Sequence, residues 1–454
     1  MSTERRPLPF IPLGDERFLR TTPENMQRAR SLLEERRERG AARVEGPPPY
    51  IRQIVLKIFN LCNLACDYCY EYPSDDLSWQ KRPGKMSQER VLRTVGGFAS
   101  YARFRKLEVA DVILHGGEPL LVGPQGLRAI AEATRQGFDE HAPQTKVRIG
   151  AQTNGLRLTE PMLEVMGEYD ISFGVSLDGD QETHDKHRKG KRGEPSYAQV
   201  REKIDLVNSD PESRRLFSGL LCVIDVESNP YAVFEALMEC QPKTLDFLLP
   251  YGTWDELPPK GGRTDAQYGR WLTKIFDVWW REGRAYNGQP VNIRLFDQVV
   301  SLLRGAGGGT DTVGPYAGGE VIVRTDGSLE LLDFLGVAGL DKVQTGMNVD
   351  THTFEDMERF LLAAGQLGRK SVAAMCQGCD LLPVCAGGPL PTRFSKDFGF
   401  ENTSVFCSDL QYLIRHIAQA LTVEAAEDIS VRMRQNYTDE FLRRKGRLSG
   451  WLPA

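Results

Sequence analysis

From Ile51 to about Gln298, short β-rich runs alternate with longer stretches of helical periodicity. That alternation restricts the chain to a parallel sheet covered by crossover helices. Strands are expected over 53–59, 110–115, 146–152, 172–177, 217–224, 244–249 and 291–296. Helices are expected between them over 87–104, 124–137, 159–166, 196–208 and 230–239, with another over 265–281. The arrangement that satisfies the pattern is α/β, a partial or open (β/α) barrel. In such barrels the chemistry collects at the C-terminal ends of the strands.

Directly after the first apolar run, Ile54 to Phe59, comes Cys62-Asn63-Leu64-Ala65-Cys66-Asp67-Tyr68-Cys69. Three thiolates on a four-iron cluster, one per iron, leave one iron open to a small chelating molecule. The alternative is structural zinc, which wants four ligands, and no fourth Cys or His stands nearby in a zinc-finger spacing. Cys376, Cys379, Cys385 and Cys407 form a second group. Four thiolates suit either a closed iron–sulfur cluster or a zinc site with four cysteine ligands. Cys222 and Cys240 stand apart, in an apolar run and a helical pattern, and are read as small buried hydrophobes. Seven of the nine cysteines are thus metal-ligand candidates rather than disulfide partners.

Composition sets limits. With 454 residues, 26% charged residues and a formal net charge of -5, the chain offers no overall basic field for nucleic acid. No apolar run approaches the length of a membrane span, and prolines and charges follow Met1 to Arg6 where a signal peptide would have its apolar core. A cytoplasmic location is expected.

Other strand ends carry polar or glycine-rich turns. His115-Gly116-Gly117-Glu118-Pro119 follows the second strand, where two glycines let the backbone approach a ligand closely. Gln152-Thr153-Asn154-Gly155 closes the third and Ser176-Leu177-Asp178-Gly179 the fourth. Together with the Cys-x3-Cys-x2-Cys spacing and the aromatic before the third Cys, these motifs resemble the radical S-adenosylmethionine (SAM) superfamily. The resemblance covers about residues 50 to 425. It implies a six-stranded partial barrel with a [4Fe-4S] cluster on Cys62, Cys66 and Cys69, whose open iron takes SAM and which generates a 5′-deoxyadenosyl radical. Gly116, Gly117, Glu118 and Pro119 would hold the SAM ammonium, and Ser176 its ribose or carboxylate. Asn154 is a further cofactor candidate, although Asn and Asp also cap turns. Arg188 could neutralise the SAM carboxylate, the alternative being a solvated charged loop over Thr183 to Arg188. Tyr68, with Val223 opposite, offers a surface for adenine. Tyr251 and Trp254, in a turn after the sixth strand, are substrate-contact candidates, and Trp271, Trp279 and Trp280 are read as core.

After Gly305-Ala306-Gly307-Gly308-Gly309 the composition changes, and Glu320 to Asp333 reads as a hairpin turning at Asp326-Gly327. It resembles the SPASM/twitch region of peptide-modifying radical enzymes. Leu332 stands where that family has a cysteine, so a first auxiliary cluster is not expected, while Cys376, Cys379, Cys385 and Cys407 match the family's second one. Domains are expected at 1–50 (extension), 51–300 (barrel), 301–425 (SPASM-like, one auxiliary [4Fe-4S] cluster) and 426–454 (helix and tail). Helices are expected from Thr22 and from Thr422 to Gln435.

The segment Cys385-Ala386-Gly387-Gly388 and then Phe400 to Cys407 resembles the FxsB-type branch, near cyclophane-forming maturases of ribosomal peptides. This implies an oxidoreductase that installs a carbon-carbon cross-link in a precursor peptide, with a low-potential donor such as flavodoxin or ferredoxin. The alternatives are a sulfatase-type maturase oxidising Ser or Cys to formylglycine, and a non-catalytic cluster-bearing scaffold. Asp333 is expected to be the general base, with a carboxyl pKa raised by partial burial. Its alternative is a pairing with Arg294 or Arg324. Glu330 is the reserve base on the other face of the strand.

Overall fold

A computed structural model describes residues 50–72, 78–306, 308–315, 318–364 and 372–421. The expected helices from Thr22 and from Thr422 lie outside the described residues, as do nearly all of the expected extension and all of the expected tail.

The barrel strands are β1 (Gln53–Phe59), β2 (Val109–Gly116), β3 (Lys146–Thr153), β4 (Ile171–Ser176), β5 (Phe217–Val223) and β6 (Thr244–Leu248). They lie side by side in chain order, every neighbouring pair parallel. Their crossovers contain α1 (Gln88–Arg105), α2 (Gly123–His141), α3 (Glu160–Glu168), α4 (Gln181–His187), α5 (Tyr197–Ser209), α6 (Pro211–Leu216) and α7 (Pro230–Glu239). The strands bury both faces, as Ile54, Leu56, Lys57 and Ile58 of β1 illustrate, which is how a parallel sheet under helices reads.

Two short helices were not anticipated. Asp180 accepts from the Thr183 amide at 2.9 Å to start α4, and Asp210 accepts from the Ser213 amide at 2.9 Å to start α6. An Asp cap was the available signal, and α4 stands where a charged loop was the alternative reading. The expected strand 291–296 is also corrected. After the two-stranded ladder of β7 (Ala285–Tyr286) and β8 (Gln289–Pro290), only Asn292–Ile293 (β9) pairs with β6, because Leu295, Phe296, Val299, Val300 and Leu302 bury one face of a helix over Arg294–Leu303 (α9).

The hairpin forms as expected: β10 (Glu320–Val323) pairs antiparallel with β11 (Ser328–Glu330), with Ile322 opposite Glu330. Gly327, at φ +84°, makes the turn. β10 also pairs parallel with β1, Gln53 opposite Glu320, and β12 (Gln344–Asn348) extends the far side, followed by α10 (Phe354–Ala364). The sheet therefore runs β12-β11-β10-β1-β2-β3-β4-β5-β6-β9 and stays open, with the hairpin region hydrogen-bonded directly onto the barrel. A helix over 407–421 (α13) packs on α8 (Gln267–Arg281). Gly269 is pressed against it so closely that a Cβ there would lie 2.5 Å from the Asp409 carbonyl. Trp271 and Trp279 are buried core, as expected, and so are Cys222 and Cys240.

Candidate active site

The loop after β1 is held by backbone contacts that demand glycine. The Gly117 amide donates to the Phe59 carbonyl and the Glu118 amide to the Leu61 carbonyl, both at 2.9 Å. A Cβ on Gly116 would sit 2.1 Å from the Phe59 oxygen, and one on Gly117 would sit 1.9 Å from the Tyr72 hydroxyl. The two glycines are therefore explained by the approach of β2's end to the cysteine loop. Pro119 is buried at the start of a short 3-10 turn. Glu118, 1% exposed, accepts from Leu120 N (2.9 Å), Thr153 Oγ1 (2.7 Å) and Asn154 N (2.8 Å), which ties β2's end to β3's. Burial pushes its carboxyl up, against those hydrogen bonds. Asn154 Nδ2 in turn donates to Asn63 Oδ1 at 2.8 Å and reaches Cys62 Sγ at 3.7 Å. Ser176 Oγ is occupied by Gln152 Nε2 at 3.0 Å.

On the opposite flank, Tyr68 donates to Asp178 and accepts from Arg188 Nη1 at 2.9 Å. Asp178 also accepts from the Val223 amide at 3.0 Å. These contacts pin the cysteine loop to the ends of β4 and β5. Tyr68 and Val223, expected around adenine, thus meet through Asp178, and the Tyr68 hydroxyl acts as a strut. Arg188 is 8% exposed, and its Nε is buried without a hydrogen-bond partner.

The residues fit the cofactors. Burial pushes the Cys62, Cys66 and Cys69 thiols up, Cys69 to about 12, and iron would displace their protons. The unpaired Arg188 Nε, beside Cys66 and Asp178, suits an anionic group. The second group is arranged by two short helices, α11 (Ala374–Gln377) and α12 (Leu382–Cys385), and by the start of α13. Burial raises all four of its thiols, Cys385 to about 12 and Cys407 to about 11. Gln411 Nε2 lies 3.3 Å from Cys407 Sγ. Among the described residues, no three His, Cys, Asp or Glu side chains gather as a single-ion site.

Beside the loop lies an ionic network that the sequence reading missed. Lys57, 1% exposed in β1, pairs with Asp333, reaches Glu71 Oε2 at 3.0 Å and lies 3.0 Å from His115 Nδ1. Arg324 pairs with Glu71 and with Glu330 (2.6 Å), and Arg82 holds the other Glu330 oxygen at 2.7 Å. The available signal was a lone lysine in the apolar run Ile54-Val55-Leu56-Lys57-Ile58-Phe59.

Two expectations for the base are corrected here. Burial drives the Asp333 carboxyl upward, but Lys57, His115 and Arg324 outweigh it and hold it down, to about 2. His115 is itself pushed down to about 4 by burial and Lys57, so at neutral pH the two cations carry the effect. Glu330 is no free base, since both of its oxygens are bound by arginines. β11 ends at Glu330 and Asp333 opens a 3-10 turn over Asp333–Ala338, so strand alternation does not relate the two. Arg294, an alternative partner for Asp333, pairs instead with Asp246 and Asp311.

Of the substrate candidates, Tyr251 stacks on Phe334 (5.0 Å, 17°) and meets Tyr70 edge-on (5.6 Å), next to Asp333. Trp254 is a correction. It is 7% exposed and donates to the Thr403 carbonyl at 2.7 Å, tying the β6 turn to the second cysteine group.

The chain is similar to several known proteins. Residues 56–209 match the Radical SAM superfamily, which fits an enzyme that uses SAM and [4Fe-4S] clusters. More particularly, the chain is 24% identical over 367 residues to the cysteine-type anaerobic sulfatase-maturating enzyme of Clostridium perfringens, covering 76% of this chain and 90% of that one. It is 25% identical over 391 residues to the serine-type enzyme of Bacteroides thetaiotaomicron, covering 82% and 90%. The solved structure of native anSMEcpe with bound AdoMet and Cp18Cys peptide superposes with a TM-score of 0.68 at 23% identity, over 84% of this chain and 100% of that one. Streptococcus suis SuiB bound to its precursor peptide SuiA gives 0.51 at 15% identity, over 85% and 81%. The expected cyclophane cross-linking is overturned by the Clostridium perfringens and Bacteroides thetaiotaomicron relatives, which are sulfatase-maturating enzymes, and the FxsB-type branch is not confirmed. Among the described residues no helix is long and apolar enough to cross a membrane.

Proposed function

We propose that this chain oxidises a Ser or Cys side chain of a peptide or protein to formylglycine. The observation that carries the reading is likeness over 90% of the length of both cysteine-type and serine-type sulfatase maturases. Cys62, Cys66 and Cys69 would hold the catalytic cluster, and Cys376, Cys379, Cys385 and Cys407 the auxiliary one. With SAM and reductant bound, these groups supply hydrogen-atom abstraction and an acceptor for one electron. The side chain then still has one proton to lose from oxygen or sulfur. Asp333 takes it: its carboxylate is ionised at neutral pH and stands beside Tyr251 and Tyr70. A base held so low accepts a proton only from a strongly acidic donor, and a hydroxyl or thiol on an oxidised carbon is one. A thioaldehyde formed from Cys adds water and loses hydrogen sulfide to give the same aldehyde. Arg188 would bind the SAM carboxylate, while Glu118 and Asp178 keep the loop in place. A low-potential flavodoxin or ferredoxin would supply the electron.

The test incubates anaerobically reconstituted protein with SAM, reductant and synthetic peptides that carry a single Cys or Ser. An aldehyde captured by a hydrazine is the expected product. SAM cleavage without aldehyde from either peptide would reject the reading.

A further inference from the structure

The cysteine loop has two flanks, and the mechanism uses one of them. Residues 70 and 71 face the hairpin region, where Tyr70 meets Tyr251 and Glu71 meets Lys57 and Arg324. Residues 64 to 67 face a different segment. The Ala65 amide donates to the Lys189 carbonyl at 2.7 Å, Leu64 bridges to Gly190, and the Asp67 amide reaches the His187 carbonyl. That segment is itself a tight hairpin: Lys189 bridges to Pro195, the Gly190 amide donates to the Glu194 carbonyl at 2.8 Å, and Gly193 turns at φ +87°.

The segment is strongly basic. Residues 186–192 hold five Lys or Arg in seven positions, in a protein of net charge -5. Two of these are committed: Arg188 points inward to Tyr68, and Lys186 pairs with Asp225 and Glu227. Lys189, Lys191 and Arg192 are exposed, and none of them forms a salt bridge among the described residues. The Glu194 carboxylate is turned back onto the Arg192 amide at 3.0 Å. Three exposed cations with no salt bridge among the described residues therefore stand on a hairpin whose Lys189 carbonyl accepts from the amide of Ala65, the residue preceding Cys66.

We propose that the hairpin over 189–195 is the docking surface for an acidic, low-potential one-electron donor protein. The donor loses one electron and the catalytic cluster gains it, across the loop backbone and away from the flank where the peptide is oxidised. Like charges repel and opposite charges steer encounter, so this surface favours an acidic partner and keeps it off the substrate side. The inference rests on the cluster assignment and not on the formylglycine reading.

The test is a Lys189→Glu, Lys191→Glu, Arg192→Glu variant, reconstituted beside the parent. Formation of 5′-deoxyadenosine without peptide is driven either by dithionite, which needs no docking, or by a reduced acidic flavodoxin. The expected result is an unchanged dithionite rate and a flavodoxin-driven kcat/KM lower by at least about tenfold. Titration calorimetry with oxidised flavodoxin should show binding to the parent that weakens with salt and is lost in the variant. Equal loss with both reductants, no loss with flavodoxin, or tighter binding of a DNA duplex than of flavodoxin to the same patch would overturn the proposal. A chain that passes this test but makes no aldehyde refutes the function above and leaves the docking surface standing.

Discussion

The two cysteine groups are built in opposite ways. The loop over Cys62 to Cys69 hangs from a strand end and is braced by side chains from other strand ends, with Asn154 on one side and Asp178 and Arg188 on the other. The group at Cys376, Cys379, Cys385 and Cys407 sits on two four-residue helices and the start of α13, joined mainly by backbone turns such as Cys379 N to Cys376 O. Isolated helices of that length do not persist in water. The first group is braced by side chains from other strand ends, whereas the second, on such short helices, is expected to lean more on its ligands.

The largest effect should therefore follow loss of the second group. Ligand binding at a structural metal site can contribute on the order of 10 kcal/mol to folding. Cys379→Ala should lower the melting temperature sharply and release amide protection over 372–407, as read by hydrogen exchange. Changing Cys62, Cys66 and Cys69 together to Ala should instead abolish 5′-deoxyadenosine formation with much less change in melting. Equal destabilisation by both variants would break the contrast. Iron and sulfide assays should approach about eight of each per chain, on the expectation of about four per cluster.

The next effect sharpens the comparison from the side of the ionic network. Lys57→Met leaves the Asp333 carboxylate buried without its cation, and removing one partner of such a pair costs about 3–5 kcal/mol. The sign with pH follows from burial. In the variant the folded-state carboxyl rises above its ordinary value, so the loss is greater at about pH 8 than at about pH 5. In the parent it is depressed from 3.8 to about 2. The stability it contributes, on the order of 2 kcal/mol, is present above the unfolded value and disappears as pH falls through that window. Adding Asp333→Asn to Lys57→Met should restore melting and remove the pH dependence. A loss that is the same at both pH values would mean that Lys57 serves only packing.

What was legible in the sequence follows the range of the interactions. β1 to β6 and the turn at Asp326-Gly327 are marked by local apolar runs and turn residues, and each lies close to where the pattern put it. The cysteine groups were legible from spacing. Lys57 and Glu71 were not, and Arg324 was named only as an alternative partner of Asp333, because three segments far apart in sequence meet only when β10 pairs with β1. The direction of the Asp333 shift failed for the same reason: burial was foreseeable and Lys57 was not. The cross-link reading leaned on Leu332 and the short pattern around Cys385 and Cys407, whereas the likeness to sulfatase maturases extends over three quarters of the chain.

The smallest effect separates two aromatics that the sequence treated alike. Tyr251 and Trp254 are three residues apart after β6, but Tyr251 joins the aromatic stack beside Asp333, whereas Trp254 spends its indole N–H on the Thr403 carbonyl, near Cys407. Trp254→Phe keeps the ring and leaves that carbonyl without its donor, a cost of about 1 kcal/mol. It should appear as a small drop in melting temperature and weaker protection of residues 400–407, with the peptide KM unchanged. Tyr251→Leu keeps apolar bulk but removes the face that stacks on Phe334, and such a stack is worth about 0.5–1.5 kcal/mol. If that wall receives the peptide, KM should rise several-fold with little change in melting. A raised KM in Trp254→Phe and an unchanged one in Tyr251→Leu would reverse the assignment and move the peptide path towards the second cysteine group.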